Sequence, residues 1–573
     1  MTSVHGGHAT AESPATPESV AVPMAGSPGS DSHGTPRPVP RRRRRGQERP
    51  NPWRAYALAW LEKPGCFLCR EAAADLTRYY FWFLAEQYAN VPTMDRLQRA
   101  HGFCLRHTRH LLEHGAPDRT SFVAGYVLRS CADWLRSVQA DVTSEGRRAR
   151  QDGRPSPGRL RPWADCPACE SEREERDRYG WVIVECLKEA DIRESFCASH
   201  GLCIPHFLTA APLAGWDILQ CLAEEQIRHL EEARATLSVS QATGSDGRMA
   251  DALRKILGRL HGADQDKRIR PLLAAGPSSR ETLTAAIGDH VTVRAGTSES
   301  WSPAFEETCR LLRQPGCSLC RVAAEGREEY LAWLEEEIRS NVEIRYRWSQ
   351  AQYLCTEHAW LFADRAAPDV LATVCSQLLD GCVAALRRFL WEIREPIPDR
   401  LLGRVRVLPA RWRESGRPQD GKGGRPSLSQ RVRRTVKTLW LTPQSFLEGV
   451  RGRMLRRDAC PLCCHLETIE TRAADRLLAV LTDAEGRRAF ERSYALCLRH
   501  APLLLERASD PGLRRDIAAI LLARVEVDRW EAEEYLRKQS WSVRHEPEGD
   551  EEAAWLRASA RIAGVAMEQH NGF

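Results

Sequence analysis

The sequence contains no run of about 18 consecutive apolar residues, which argues against a membrane-spanning helix. It also lacks the basic start and unbroken apolar core of a secretory signal, because Ser19–Gly26 is short and interrupted by Pro23. A cytoplasmic location with no membrane partner is therefore expected. No glycine-rich phosphate loop, GxSxG elbow or HExxH motif is present, so those routes to nucleotide binding, acyl transfer and metalloprotease chemistry are excluded. Lysine is scarce, with seven residues among the 83 basic ones, a bias that genomic base composition is enough to explain. Alternating β-branched runs are few, which removes the signal for a sheet.

What the chain does have is 573 residues, 42% of them hydrophobic, enough for several domains with packed cores. From Trp53 onward apolar and charged residues interleave at helical spacing, and an all-α fold is predicted. The net charge of +6 is unevenly spread. Residues 400–458 hold sixteen Arg/Lys and four Asp/Glu, an excess of +12, and residues 1–50 add +3. The remainder sums to 6 − 12 − 3 = −9. Residues 1–50, rich in Pro, Gly, Ser and Thr and ending in Arg41–Arg45, read as a disordered tail that cannot bury enough apolar surface to order itself.

The sequence repeats itself over long distances. A shift of 251 places residues 61–136 on 312–387 without a gap, with 26 of 76 positions identical. These include Gly65/Gly316, Tyr79/Tyr330, Trp82/Trp333, Asn90/Asn341 and Cys131/Cys382. A shift of 294 aligns Cys166, Cys169, Cys203 and His206 with Cys460, Cys463, Cys497 and His500. The simplest account is duplication of a two-site module, spanning about 51–240 and about 301–545. The resulting layout has helical unit 1 at 51–150, unit 2 at 151–240, a linker at 241–300 and unit 3 at 301–399. A basic insertion at 400–458, unit 4 at 459–545 and a C-terminal helix or tail at 546–573 complete it.

Each unit carries a CxxC and, further on, a CxxH. Within a unit the expectation is a turn bearing the CxxC, a helix such as Arg321–Ser340, a CxxH opening a second helix such as Cys104–Glu113, and a closing helix such as Ser121–Ala140. That makes a helical hairpin pinned at its base. Zinc takes four tetrahedral ligands, and structural sites are closed by Cys and His alone. A tight turn aims the two sulfurs of CxxC at one centre, helped by Gly65/Gly316 before it or Pro167/Pro461 within it. Positions i and i+3 of a helical turn share a face, which suits CxxH. The expected ligand sets are Cys66, Cys69, Cys104 and His107; Cys166, Cys169, Cys203 and His206; Cys317, Cys320, Cys355 and His358; and Cys460, Cys463, Cys497 and His500. Zinc is the favoured ion, four per chain. A Cys3His-ligated iron–sulfur cluster and a redox CxxC are the alternatives. Closed shells leave no open position for water, so hydrolytic zinc chemistry is disfavoured.

Other residues near the sites have plainer readings. His101 and His200 are expected to lie beside the ligands or at the surface without ligating, because Gln352 and Tyr494 replace them elsewhere. Cys464 and His465 occur in one unit only and are not expected to ligate. Cys131, Cys186, Cys221, Cys375 and Cys382 are small core residues, and Trp82, Trp333 and Tyr330 are core aromatics. Residues 400–458, with Trp412 and Trp440 among their cations, could bind a nucleic-acid backbone and stack on bases, or act only as a solubilising loop.

The CxxC–helix–GFCxxH pattern of Cys66–His107 resembles a bacterial family of unknown function with repeated CPxC … GFCxxH zinc-binding motifs. Gly102-Phe103-Cys104 and Gly201-Leu202-Cys203 match it best, whereas Tyr353-Leu354 and Ala495-Leu496 depart from it. The resemblance implies metal binding and no established activity. The expected function is a zinc-binding helical scaffold or regulatory protein with a protein partner and no evident catalysis. The alternatives are a nucleic-acid-associated protein using 400–458, or a redox-responsive or iron–sulfur protein.

Overall fold

Proline and asparagine set where the helices begin. Pro117 and Pro368 open the two longest helices of units 1 and 3, and Pro167, Pro461 and Pro511 open three more, each where a missing N–H costs nothing. Asn90 accepts from Thr93 N–H at 3.2 Å, and its repeat mate Asn341 accepts from Glu343 and Ile344, so the two asparagines cap equivalent helices. The computed structural model describes residues 51–142, 166–243, 246–264, 303–350, 354–394, 460–543, 545–547 and 549–564. The tail 1–50 and the basic segment 400–458 lie outside them.

Among the described residues there is no strand, and twenty α-helices fall into two series of ten. The first series is α1 (Arg54–Leu61), α2 (Phe67–Ala85), α3 (Val91–Arg99), α4 (Leu105–Glu113), α5 (Pro117–Val142), α6 (Pro167–Cys186), α7 (Ala190–Ala198), α8 (Ile204–Ala210), α9 (Trp216–Thr243) and α10 (Asp246–His261). The second is α11 (Pro303–Leu312), α12 (Ser318–Ser340), α13 (Val342–Gln350), α14 (Thr356–Arg365), α15 (Pro368–Arg394), α16 (Pro461–Leu481), α17 (Ala484–Arg492), α18 (Ala501–Arg507), α19 (Pro511–Lys538) and α20 (Ala554–Ala563). The all-α duplicated module is thus observed, and it reaches further than the sequence repeat. Part of the expected linker is α10, and α20 is its partner in the second series.

The same pairings recur in both series. Helix α1 packs on α6 and α7 as α11 packs on α16 and α17, and α2 packs on α6 as α12 packs on α16. The two series also embrace each other, with α5 against α19 and α20, and α15 against α9 and α10. Two apolar cores result, each drawn from both series. One unites α9, α10 and α15 with Cys66, Cys69, Cys203 and Cys460, and the other unites α5 and α19 with Cys166, Cys317 and Cys497. Within α15, Pro368–Trp391 is long and apolar enough to cross a membrane, but 56% of its most apolar window is buried, packed on α9, α10 and α13.

Two expected core residues sit elsewhere. Trp82 is 51% and Trp333 45% exposed, at matching places on α2 and α12. The buried face of α2 runs through Leu76, Tyr80, Phe83 and Leu84, and that of α12 through Leu331, Leu334 and Ile338, so each tryptophan falls off the stripe. Tyr330 is half-buried and lies against His465, with ring centroids 4.9 Å apart.

Candidate metal centres

Each CxxC lies at the start of a long helix. Cys66, Cys166, Cys317 and Cys460 occupy the N-cap positions of α2, α6, α12 and α16. Gly65 and Gly316 precede two of them, both with φ of +82°, a conformation open to glycine. Arg70, just after its CxxC, donates to the carbonyls of Pro64 and Gly65 at 2.6 Å and fixes that turn. The CxxH pairs lie at starts of short helices, with Cys104, Cys203 and Cys355 as N-caps of α4, α8 and α14. Unit 4 differs, because the turn Cys497–His500 precedes α18 and His500 itself is the N-cap.

All sixteen predicted side chains meet in four clusters, but the grouping within units is wrong. The observed sets are Cys66, Cys69, Cys203 and His206 (site A); Cys104, His107, Cys166 and Cys169 (site B); Cys317, Cys320, Cys497 and His500 (site C); and Cys355, His358, Cys460 and Cys463 (site D). Each CxxC takes the CxxH of the other unit in its module. Helix length is the reason. Helix α2 carries its CxxC about 28 Å from its far end, at 1.5 Å per residue, and the nine-residue α3 that follows is only about half as long, too short to span that distance. A unit therefore holds its two half-shells at opposite ends of one helix. Packing α2 antiparallel to α6 brings each N-terminus to the CxxH that follows the other's C-terminus. Tyr80, in the last turns of α2, shows this by donating to the carbonyl of His107 at 2.6 Å.

The geometry repeats closely. In every cluster the histidine turns Nδ1 toward the sulfurs: 3.4, 3.3 and 3.0 Å to Cys66, Cys69 and Cys203 in site A, and 3.2, 3.5 and 3.2 Å to Cys104, Cys166 and Cys169 in site B. Site C gives 3.4, 3.3 and 3.3 Å, and site D 3.4, 3.5 and 3.4 Å. The sulfur of the CxxH cysteine and that of the second CxxC cysteine are 3.7 Å apart in A and in B, 3.6 Å in C and 3.9 Å in D.

The electrostatics are those of a shell built for a cation. The Cys166 thiol is held down at about 3 by hydrogen bonds from Cys104 and Cys169, and Cys66, Cys317 and Cys460 are likewise held low. A second thiol is pushed up in each cluster: Cys203 by burial and then by the neighbouring thiolate, and Cys169, Cys320 and Cys355 by the cysteines they face and then by burial. Burial lowers His206, but the neighbouring thiolates of Cys69 and Cys66 outweigh it and raise the imidazole to about 10. A bound dication removes this conflict by allowing all three thiols to ionise.

Outer carboxylates flank two histidines. His107 Nε2 lies 3.2 Å from Glu172, the carboxylate–imidazole arrangement that fixes a ligand's tautomer, and His500 Nε2 lies 3.3 Å from Glu470 as a close charge neighbour without an aligned hydrogen bond. The preceding arginines, Arg106 and Arg499, engage the same carboxylates at 2.8 and 3.2 Å.

Sequence reading missed a second layer. Helices α10 and α20 end in Arg259-Leu260-His261-Gly262 and Arg561-Ile562-Ala563-Gly564. Arg259 donates to the His200 carbonyl at 2.9 Å, and Arg561 to the equivalent Tyr494 carbonyl at 2.6 Å. Gly262 (φ +86°) and Gly564 (φ +76°) then lie over the sulfurs. A Cβ on Gly262 would stand 3.5 Å from Cys69 Sγ and 3.6 Å from Cys203 Sγ; on Gly564, 3.0 Å from Cys320 Sγ and 3.1 Å from Cys497 Sγ. The shared R-[L/I]-x-G tetrapeptide, 302 positions apart, was the available signal, displaced by eight from the 294 register of the ligands.

His101, His200, Cys464 and His465 stand outside all four clusters. Cys131, Cys186, Cys375 and Cys382 are buried, Cys221 is half-buried, and burial raises the Cys131 and Cys375 thiols to about 12.

No family model, curated protein or solved structure matches this chain. The family resemblance thus rests on the motif residues alone.

Proposed function

We infer that this protein is a zinc-binding helical scaffold with four structural Cys3His sites and no catalytic metal. The observation that carries this reading is the size of the four shells. Zn–S bonds of about 2.3 Å and Zn–N bonds of about 2.0 Å place tetrahedral ligands about 3.8 Å apart between sulfurs and about 3.5 Å between sulfur and nitrogen. The sulfur–sulfur distance along one edge of each shell is 3.6–3.9 Å, the sulfur–nitrogen distances are 3.0–3.5 Å and all ligand atoms of a shell lie within 4.8 Å of one another, so one ion of that size suits each shell. A polynuclear iron–sulfur cluster holds its ligands further apart than the 4.8 Å that encloses each set, which favours a single ion.

The chain's own residues suit a structural role. Three thiols and one imidazole fill each tetrahedron and leave no vertex for substrate or water. Each site also ties together two units distant in sequence, as α2 is tied to α8 through Cys66, Cys69, Cys203 and His206. A reducing, cytoplasmic setting follows from this reading, because thiolates hold metal only while unoxidised. Exposed Trp82 and Trp333, at equivalent places in the two modules, support a protein partner, since surface tryptophans commonly anchor interfaces. The basic 400–458 segment keeps nucleic acid as the second reading, checked by salt-dependent binding lost on its deletion.

The test of the main reading is elemental analysis with absorbance of the full chain purified without added metal. Four zinc ions in a colourless protein are expected. A coloured, iron-containing preparation, or a folded protein without metal, overturns it.

A further inference from the structure

The four shells are chemically alike but differ in what covers one edge. In every site the sulfur of the CxxH cysteine pairs with that of the second CxxC cysteine, and among the described residues the backbone at the C-terminus of α10 or α20 crosses this edge in two sites, A and C. Over site A lies Gly262, and the next residue, Ala263, donates its N–H to Cys69 Sγ at 3.2 Å. All four ligands of site A are buried. Over site C lies Gly564, whose carbonyl oxygen is 3.5 Å from Cys320 Sγ; Cys320 is half-buried and the other three ligands of site C are buried. At sites B and D the equivalent edges, Cys104–Cys169 and Cys355–Cys463, are the accessible part of the shell: both of their cysteines are half-buried while the other two ligands are buried.

The coverage is not random with respect to the fold. The helix that caps site A is gripped by the CxxH helix of site D: Thr356 Oγ1 donates to the His261 carbonyl at 3.0 Å and Trp360 Nε1 to the Gly262 carbonyl at 3.2 Å. The helix that caps site C packs on the CxxH helix of site B, where Leu105 and Leu112 of α4 meet Trp555, Leu556, Ala560 and Ala563 of α20. Each open site thus holds in place the cap of a closed one.

We propose that the protein has two classes of metal site, with B and D exchanging metal with ligands in solution through the open Cys104–Cys169 and Cys355–Cys463 edges, and A and C retaining theirs until the caps are released. The inference rests on metal occupying all four shells. Exchange here is ligand substitution without redox change: donor atoms of the acceptor replace the thiolates on the ion, and the freed thiolates take up protons. Thiolates stay reactive only where an incoming group can reach them, so the open edges also carry the first cysteines to meet an electrophile. Loss of metal from D loosens α14, withdraws Thr356 and Trp360 from the cap and exposes site A second; B and C are related in the same way. A chain built this way gives up two metal ions first and the other two only after the caps have loosened.

The experiment uses the full-length, metal-loaded chain challenged with excess EDTA and followed by native mass spectrometry. Iodoacetamide is added at intervals to alkylate each freed thiolate, forming an S–C bond and releasing iodide. Two ions are expected to leave at least tenfold faster than the other two. The two-metal intermediate should carry label at Cys104, Cys169, Cys355 and Cys463 and none at Cys69, Cys203, Cys320 or Cys497. Gly564→Ala, whose Cβ would press on both sulfurs, should move one ion from the slow to the fast class, and Gly262→Ala should do so more weakly. Four ions leaving at one rate, or early label at Cys69, Cys203, Cys320 and Cys497, overturns the proposal. Metal content before the challenge is read independently, so a chain that never held four ions defeats the zinc reading, and four ions leaving in one phase defeats only the two-class inference.

Discussion

The sulfur of Cys66 lies 3.4 Å from Nδ1 of His206, a residue 140 positions further along the chain, while the nearer His107 serves a different cluster. This crosswise pairing has a direct consequence. Cys104→Ser should cost the metal of site B and so free Cys166 and Cys169 for alkylation, leaving Cys66 and Cys69 protected. The within-unit grouping predicts the reverse. Peptide mapping after iodoacetamide treatment of the variant decides between them, and label at Cys66 and Cys69 alone would count against the observed topology.

The carboxylates behind two histidines offer a graded test. Glu172→Gln and Glu470→Gln leave every ligand in place but remove the negative charge beside His107 and His500. Such outer-shell changes typically cost about 10–100-fold in metal affinity. A competition titration with a chromophoric chelator should find one ion of four weakened in each single variant. Affinities equal to the parent in both would show that these carboxylates do not tune the sites.

Ala495 carries backbone strain that its repeat mate avoids. Its φ is +62°, and at the equivalent position Gly201 has φ +69°. A left-handed conformation costs an L-residue about 1–2 kcal/mol, partly offset by the entropy glycine loses on folding. Ala495→Gly is therefore expected to stabilise the fold by about 0.5–1 kcal/mol in urea unfolding. A destabilised variant would mean that the Ala495 methyl, 1% exposed, packs well enough to outweigh the strain.

Acid should loosen the first module's cap more than the second's. Burial pushes His261, the last residue of α10, down to about 4, whereas Ala563 ends α20. Because the folded value lies below the usual 6.5, the unfolded chain binds the proton first. The contribution is fully present above pH 6.5 and is lost as pH falls from there through 4. Its size is up to about 3 kcal/mol for a shift of this order. His261→Ala should flatten the fall in stability between pH 6.5 and 4.5, whatever it does to stability at pH 7. Parallel pH profiles for parent and variant would refute the assignment.

Much of the fold was legible because its signals are local. Helical spacing placed Arg321–Ser340 inside α12 and Ser121–Ala140 inside α5, and the 251-residue register placed the same element twice. Trp82 and Trp333 were misread as core because aromatic character alone does not say on which side of a helix stripe a residue falls. Helix α10 was hidden in a stretch taken as linker, since its R-L-x-G ending matches the R-I-x-G of α20 only after an eight-residue slip.

What the sequence determined by itself is the set of half-shells. CxxC at a helix N-cap and CxxH in a turn at or before the start of the next helix are geometries within four residues, and the chain needs no distant partner to build them. Which CxxC meets which CxxH was left to tertiary structure. All the half-shells offer the same donors at nearly the same spacing, so no local chemistry distinguishes one partner from another. The antiparallel packing of α2 on α6 and α12 on α16 makes the choice, because helices of 19 to 23 residues keep the two half-shells of one unit apart. The same packing of whole helices, with α10 over site A and α20 over site C, decides which sulfurs meet the solvent.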